Sequence, residues 1–133
     1  MSNMHKFFIC KKCGNLVNIE LDKHVPLVCC GENMHELVPN TVEASNEKHI
    51  PIVKIENDNV IVKVGSEIHP MEVSHFIQFI YIVTKKGTQK KLLDPVGDSP
   101  KVTFSLINDS LIDVYAYCNL HGLWKADVVK WLI

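Results

Sequence analysis

Four of the chain's five cysteines, Cys10, Cys13, Cys29 and Cys30, lie in a segment with too little apolar surface for a core of its own. Its apolar pieces, FFI, LVNIEL and LVC, are short and are separated by the turn signals CGN and CGEN. A unit this small needs a staple, and the thiols supply one. Cys10-x-x-Cys13 sets two thiolates on one ion, with backbone N–H groups turned towards the sulfurs. Cys29 and Cys30 complete a tetrahedral set that suits zinc or a single iron. The plainest form is a structural zinc ribbon, yet ribbons prefer a second Cys-x-x-Cys, and an adjacent pair must splay its side chains around the ion. A Cys29–Cys30 disulfide is the poorer reading because a vicinal bridge is strained. Four thiolates satisfy one ion, so His5, His24 and His35 in the same segment read as surface histidines.

The fifth cysteine stands far away, in YAYCNLHGLW. Cys118-x-x-His121 is a chelating loop at the end of an apolar strand, with Gly122 for a tight turn. Its surroundings are β-rich: PIVKIE, NVIVKVG, HFIQFIYIVT, KVTFSLI and LIDVYAYC favour β-branched and aromatic residues, several in period-2 alternation. ENDN, KKGTQ, DPVGDSP and NDS separate them as turns. Many short strands at this spacing predict an all-β sandwich. LWKADVVKWLI reads as either strand or helix. The expected organisation is a metal-stapled module over residues 1–37, a linker or irregular crossing over 38–46 (Pro39, Asn40, Ser45 and Asn46 mark it), and a β domain over 47–133.

That β domain also holds His49, His69, His75 and His121. Taken singly, each is a packed or solvated histidine as readily as a ligand. His69 and His75 are an even number apart, so on one extended segment they face the same side. Pro70, directly after His69, and Pro51, just past His49, hold the residues before them to extended backbone. Trp124 and Tyr115 read as core or pocket wall.

Composition narrows the function. Hydrophobic residues make up 47% and charged residues 22%, a globular balance. A net charge of -1 provides no field to recruit nucleic acid or an anionic membrane. All 14 basic residues are lysine, so the arginine fork that reads guanine or phosphate is missing. No run approaches a membrane span and MSNMHKFFICKKC does not read as a signal peptide, so a soluble cytoplasmic protein is the expectation. In a reducing compartment the thiols are metal ligands rather than disulfides.

Taken together, the motifs resemble a known family. ICKKCGNLV…VPLVCCGENM is similar to the N-terminal module of desulfoferrodoxin. EKHIPIV, GSEIHPMEVSHFIQFIYI and AYCNLHGLWKA resemble the catalytic module of superoxide reductase, and the four motifs run in order over essentially the whole chain. The resemblance implies a desulforedoxin-like module followed by an immunoglobulin-like β-sandwich, two irons per chain and a homodimer. One iron falls to Cys10, Cys13, Cys29 and Cys30. The other has His49, His69, His75 and His121 in its equatorial plane and Cys118 on the axis. The implied reaction is superoxide plus one electron plus two protons to hydrogen peroxide, without release of dioxygen. An external donor such as rubredoxin returns the electron.

This reading gives the fifth cysteine an electronic role. Ferrous iron with four neutral imidazoles and one thiolate is formally +1, which attracts a small anion, and the axial thiolate donates electron density towards it. Backbone N–H groups of Leu120 and His121 are placed to tune that donation. The resemblance also places the NEKHIP loop over the open position: Lys48 attracts superoxide and positions water, and Glu47 ligates the oxidised resting metal. By itself NEKHIP is a solvated loop with two charges. Two other readings compete: a small iron electron carrier using the four-cysteine centre, and a zinc-stapled binding module without redox activity. Both leave the second ligand set without a use.

Overall fold

The structure, a computed structural model, describes residues 6–126. His5 and the part of ADVVKWLI beyond Ala126 lie outside the described residues. The architecture is nearly all β, in two compact units that divide between Val38 and Pro39.

In the first unit, β1 (Phe7–Ile9) pairs antiparallel with β2 (Leu16–Asn18) and β5 (His35–Glu36), while β3 (Val28–Cys29) and β4 (Glu32–Asn33) form a minimal hairpin. Among its described side chains only Phe7 and Cys10 are buried. This unit has no core to speak of, which is the shortfall the cysteines were expected to offset.

The second unit opens with one helical turn, α1 (Asn46–His49), and continues with seven strands: β6 (Pro51–Glu56), β7 (Asn59–Val64), β8 (Ile77–Thr84), β9 (Gly87–Leu92), β10 (Lys101–Ser105), β11 (Leu111–Cys118) and β12 (Gly122–Lys125). They form two antiparallel sheets, ordered β10-β7-β6 and β12-β11-β8-β9. Alternation decides which face is buried. Val60, Val62 and Val64 of β7 meet Ile80 and Ile82 of β8, Val114 and Ala116 of β11 and Phe104 of β10 in one core. Each such valine, isoleucine or phenylalanine contributes about 1.5–3 kcal/mol when fully buried. Cys118 belongs to this core, so the far end of β11 carries a thiol directly from the packed interior to the site.

Three expectations are corrected. KKGTQ is not wholly a turn: Gly87–Leu92 is a strand paired with β8. Every one of its residues is exposed, so it shows no hydrophobic alternation, as suits a lysine-bearing edge strand. Its Gln89 Nε2 and Lys91 Nζ donate to the carbonyls of Ser105 and Thr103 on β10, at 3.0 and 2.7 Å, which closes one open side of the sandwich. NEKH is a helical turn rather than loop, stopped at Ile50 (φ -70°, ψ 123°), where Pro51 enforces extended backbone. His69 and His75 do not share a strand. They lie in turns between β7 and β8, with Pro70 and an isolated Glu72–His75 bridge between them.

Asn40, in the stretch expected as a linker, is tied to β12. Its backbone N–H donates to Leu123 O at 3.1 Å, and its side chain exchanges two hydrogen bonds with the backbone of Lys125.

Candidate metal centres

Cys10 and Cys13 flank the turn after β1, and Cys29 and Cys30 sit at the end of β3. All are free thiols, and their four sulfurs lie within 4.8 Å of one another. Cys13 Sγ stands 3.6 Å from Cys29 Sγ, which stands 4.0 Å from Cys30 Sγ. A tetrahedron of sulfurs at about 2.3 Å from one ion has edges of about 3.8 Å. The adjacent pair is splayed by the backbone: Cys30 takes φ 53° and Gly31 φ 76°, both left-handed. The sulfurs do not ionise alike. The Cys13 backbone N–H beside Cys10 holds it down at about 6, whereas hydrogen bonding among the sulfurs, first with Cys13, pushes Cys30 up to about 12. One ionised sulfur thus opposes the next unless a cation offsets their charge. Asn15 adds donors, its backbone N–H to Cys13 Sγ at 3.4 Å and its Nδ2 to Cys29 Sγ at 3.6 Å. His24 and His35 are exposed and stand apart from this set.

At the second set the structure brings all four histidines together. Neighbouring ring centroids are 4.7 Å apart for His49–His69, 4.7 Å for His69–His75, 5.1 Å for His75–His121 and 4.9 Å for His121–His49, and the His49–His75 diagonal is 6.4 Å. That is a near-square, and each ring is turned 76–88° from the next. Donor atoms of His49, His75, Cys118 and His121 lie within 4.8 Å of one another. His69 joins through its Nε2, 3.2 Å from His49 Nε2, and Cys118 Sγ is 3.9 Å from His121 Nδ1.

Hydrogen bonds fix which nitrogens face inward. His49 Nδ1 meets Ser45 O at 2.7 Å and His69 Nδ1 meets Pro70 O at 2.7 Å. A carbonyl only accepts, so both Nδ1 atoms carry the proton and both Nε2 lone pairs point into the square. Two lone pairs facing each other at 3.2 Å repel, and no proton is available to join them. His49 Nε2 also stands 3.1 Å from His121 Nδ1, and His75 Nε2 is buried without a hydrogen-bond partner. A single cation answers all of this, because nitrogens at right angles and about 2.1 Å from one ion stand about 3.0 Å apart. Burial favours the neutral ligand form of three of the imidazoles: it pushes His69 down to about 4 and also lowers His49 and His75. Burial pushes the Cys118 thiol up, while the backbone N–H groups of His121 and Leu120 aimed at Sγ pull it back. Four imidazoles and one thiolate suit a first-row transition metal such as iron.

Glu47 and Lys48 are on α1 and exposed, two residues and one residue before buried His49. Lys48 is near enough for its charge to oppose protonation of His49 and His75. The Glu47 carboxylate is outside the converging donors: Ser45 Oγ–H holds Oε2 at 2.8 Å, and its own backbone N–H helps keep it below the usual carboxylate range. Sequence reasoning missed the carbonyls of Ser45 and Pro70, since any residue type provides one. It also missed Gly65, whose left-handed turn (φ 84°) packs directly under α1.

These geometries agree with comparisons to known proteins. A family model described as Desulfoferrodoxin matches residues 41–127. The desulfoferrodoxin of Syntrophotalea carbinolica is 44% identical over 127 residues, covering 96% of this chain and 99% of that protein. The crystal structure of the superoxide reductase from Treponema pallidum superimposes with a TM-score of 0.76 at 36% identity, over 92% of this chain and 98% of that one. A one-iron superoxide reductase from Giardia intestinalis matches 59% of this chain and 94% of its own, with a TM-score of 0.51 and 29% identity. On its motifs, its sandwich and these relatives, the chain belongs to the desulfoferrodoxin family.

Proposed function

We propose that the chain is a superoxide reductase, taking superoxide, one electron and two protons to hydrogen peroxide at the site of His49, His69, His75, Cys118 and His121. Iron in that set supplies the single electron and an open position for the anion. The observation that carries the reading is the near-square of imidazoles beside a buried thiol, with His75 Nε2 left unpartnered. Structural sites close their coordination, whereas five protein donors to one octahedral metal would leave a position for a small anion.

The surrounding residues have separable roles. Carbonyls of Ser45 and Pro70 hold two rings by their outer nitrogens. The N–H groups of His121 and Leu120 temper the donation of the Cys118 sulfur. Lys48 adds a positive charge that draws in the anion and offers ammonium protons to bound water. Glu47 is held by Ser45 Oγ–H, and by resemblance its carboxylate would serve as a ligand to the metal in the oxidised resting protein. The four-cysteine centre of residues 1–37 resembles an electron-transfer centre, an external donor such as rubredoxin returns the electron, and the working form is a cytoplasmic homodimer with two irons per chain. These last parts rest on the resemblance. Among the described residues no helix is long and apolar enough to cross a membrane.

Pre-reduced protein mixed with superoxide tests the reaction. One hydrogen peroxide and one oxidised site per superoxide consumed, with no dioxygen, is the expected result. Dioxygen at half the superoxide consumed means disproportionation and rejects it. The electron-carrier alternative has its own support in the exposed Cys13 and Cys30. It requires Cys118→Ala to leave the protein's redox function unchanged.

A further inference from the structure

The four histidines are not secured alike. His49 and His69 each have a ring nitrogen on a backbone carbonyl, at 2.7 Å in both cases. His121 is tethered by the short chelate loop to Cys118, and its carbonyl accepts from Trp124 Nε1 at 3.1 Å. His75 has no such ring clamp among the described residues, and its Nε2 is buried and unpartnered. Its aim depends on where its backbone is held.

His75 itself pairs with Glu72 within its own turn, N–H to O at 2.9 Å in both directions, and what ties that turn to the rest of the site is Asn119, the residue after Cys118. Asn119 Oδ1 accepts from Phe76 N–H at 2.9 Å, Asn119 Nδ2 donates to Ser74 O at 3.0 Å, and Asn119 N–H donates to Phe76 O at 3.2 Å. Both neighbours of His75 are gripped by one residue. The position is special because the β11–β8 register slips between Tyr117 and Cys118, so the regular ladder ends just where the ligands begin. Asn119 replaces the lost rungs with its side-chain amide.

We propose that Asn119 is a positioning residue: it locks the His75 segment to the Cys118–His121 loop, so that the fourth imidazole is delivered by the loop that carries the thiolate. The proposal rests on the metal reading of the histidine set. Removing partners one shell from a metal typically lowers affinity about 10–100-fold.

The test is chelator-driven metal release from full-length protein loaded with ferrous iron, for wild type, Asn119→Ala, Asn119→Asp, His75→Ala and the double variant His75→Ala/Asn119→Ala. The four-cysteine metal is the internal reference. Asn119→Ala should release the histidine-site metal at about tenfold lower chelator, with the four-cysteine metal unmoved. Asn119→Asp keeps the acceptor for Phe76 N–H and should fall between Ala and wild type, which covers the case of a poorly folded Ala variant. In the His75→Ala background, Asn119→Ala should add less than about twofold. Release unchanged in both Asn119 variants, or an equal effect with His75 already removed, overturns the positioning role. A wild type with metal at the cysteines alone overturns the site reading and this proposal with it.

Discussion

The indole of Trp124 stacks on the imidazole of His49, ring centroids 4.8 Å apart and planes 25° from parallel, while its Nε1–H donates to His121 O at 3.1 Å. One fully buried side chain therefore braces two of the four histidines. Trp124→Phe keeps a ring but orphans the carbonyl and opens a gap. We expect a loss of about 1–3 kcal/mol in unfolding free energy, read by denaturant titration, together with a shift in the visible absorption of the iron site. Full stability with an unchanged spectrum would show that the indole is inert filling.

Gly65 is the second brace. A Cβ built there would lie 2.7 Å from the carbonyl oxygens of both Glu47 and Lys48 and closer still to Glu67 O, and the left-handed φ of 84° disfavours any side chain. The turn it forms holds α1 through Gly65 N–H to Ile50 O at 3.1 Å and Glu67 N–H to Glu47 O at 3.0 Å. Gly65→Ala should cost about 1–3 kcal/mol and lower iron occupancy at the histidine set, because the displaced turn carries His49. Metal analysis with the four-cysteine site as reference checks it.

Lys48 is exposed and makes no ion pair shorter than 4.0 Å among the described residues, so its charge is free to act at a distance. Lys48→Ala should slow the second-order reaction with superoxide by about tenfold or less at low ionic strength, and the gap should close as salt is added. Iron content should be unchanged. Equal rates at every ionic strength would remove Lys48 from substrate capture.

Burial pushes His69 down to about 4 from its ordinary 6.5, so the unfolded chain binds this proton and the folded chain does not between those two values. Stability therefore rises with pH through that window and is lost as pH falls from about 6.5 towards 4. The His49 and His75 shifts, also downward through burial, act with the same sign. Metal-free protein should show its denaturant midpoint dropping as pH falls from 6.5, and His69→Gln should flatten that slope.

Strands facing a shared core were legible from their apolar pattern. β6, β7, β8, β10 and β11 each fall within an apolar stretch read from the residues: β7 alternates around one buried face, whereas β8 and β11 are buried on both faces over most of their length and read as near-continuous apolar runs. β9 was not legible, since a fully exposed edge strand has no buried face to impose a pattern. Ligand residue types were legible because few side chains bind a soft or borderline metal. The route by which His69 and His75 reach the site was not. They come from irregular turns whose course is settled by Pro70, by the Glu72–His75 bridge and by Asn119.

The sequence by itself determined the four-cysteine set, the β class and the need for a metal staple, for these depend on residue chemistry and short-range pattern, while the histidine set was named through the family resemblance. Only the tertiary structure decided which nitrogen of each imidazole faces inward, that Glu47 rests on Ser45, and that Gly65, Trp124 and Asn119 hold the ligands in place. Those outcomes hang on backbone carbonyls and close packing between segments far apart in the chain. A carbonyl is present at every residue, so its position, and not its identity, carries the information.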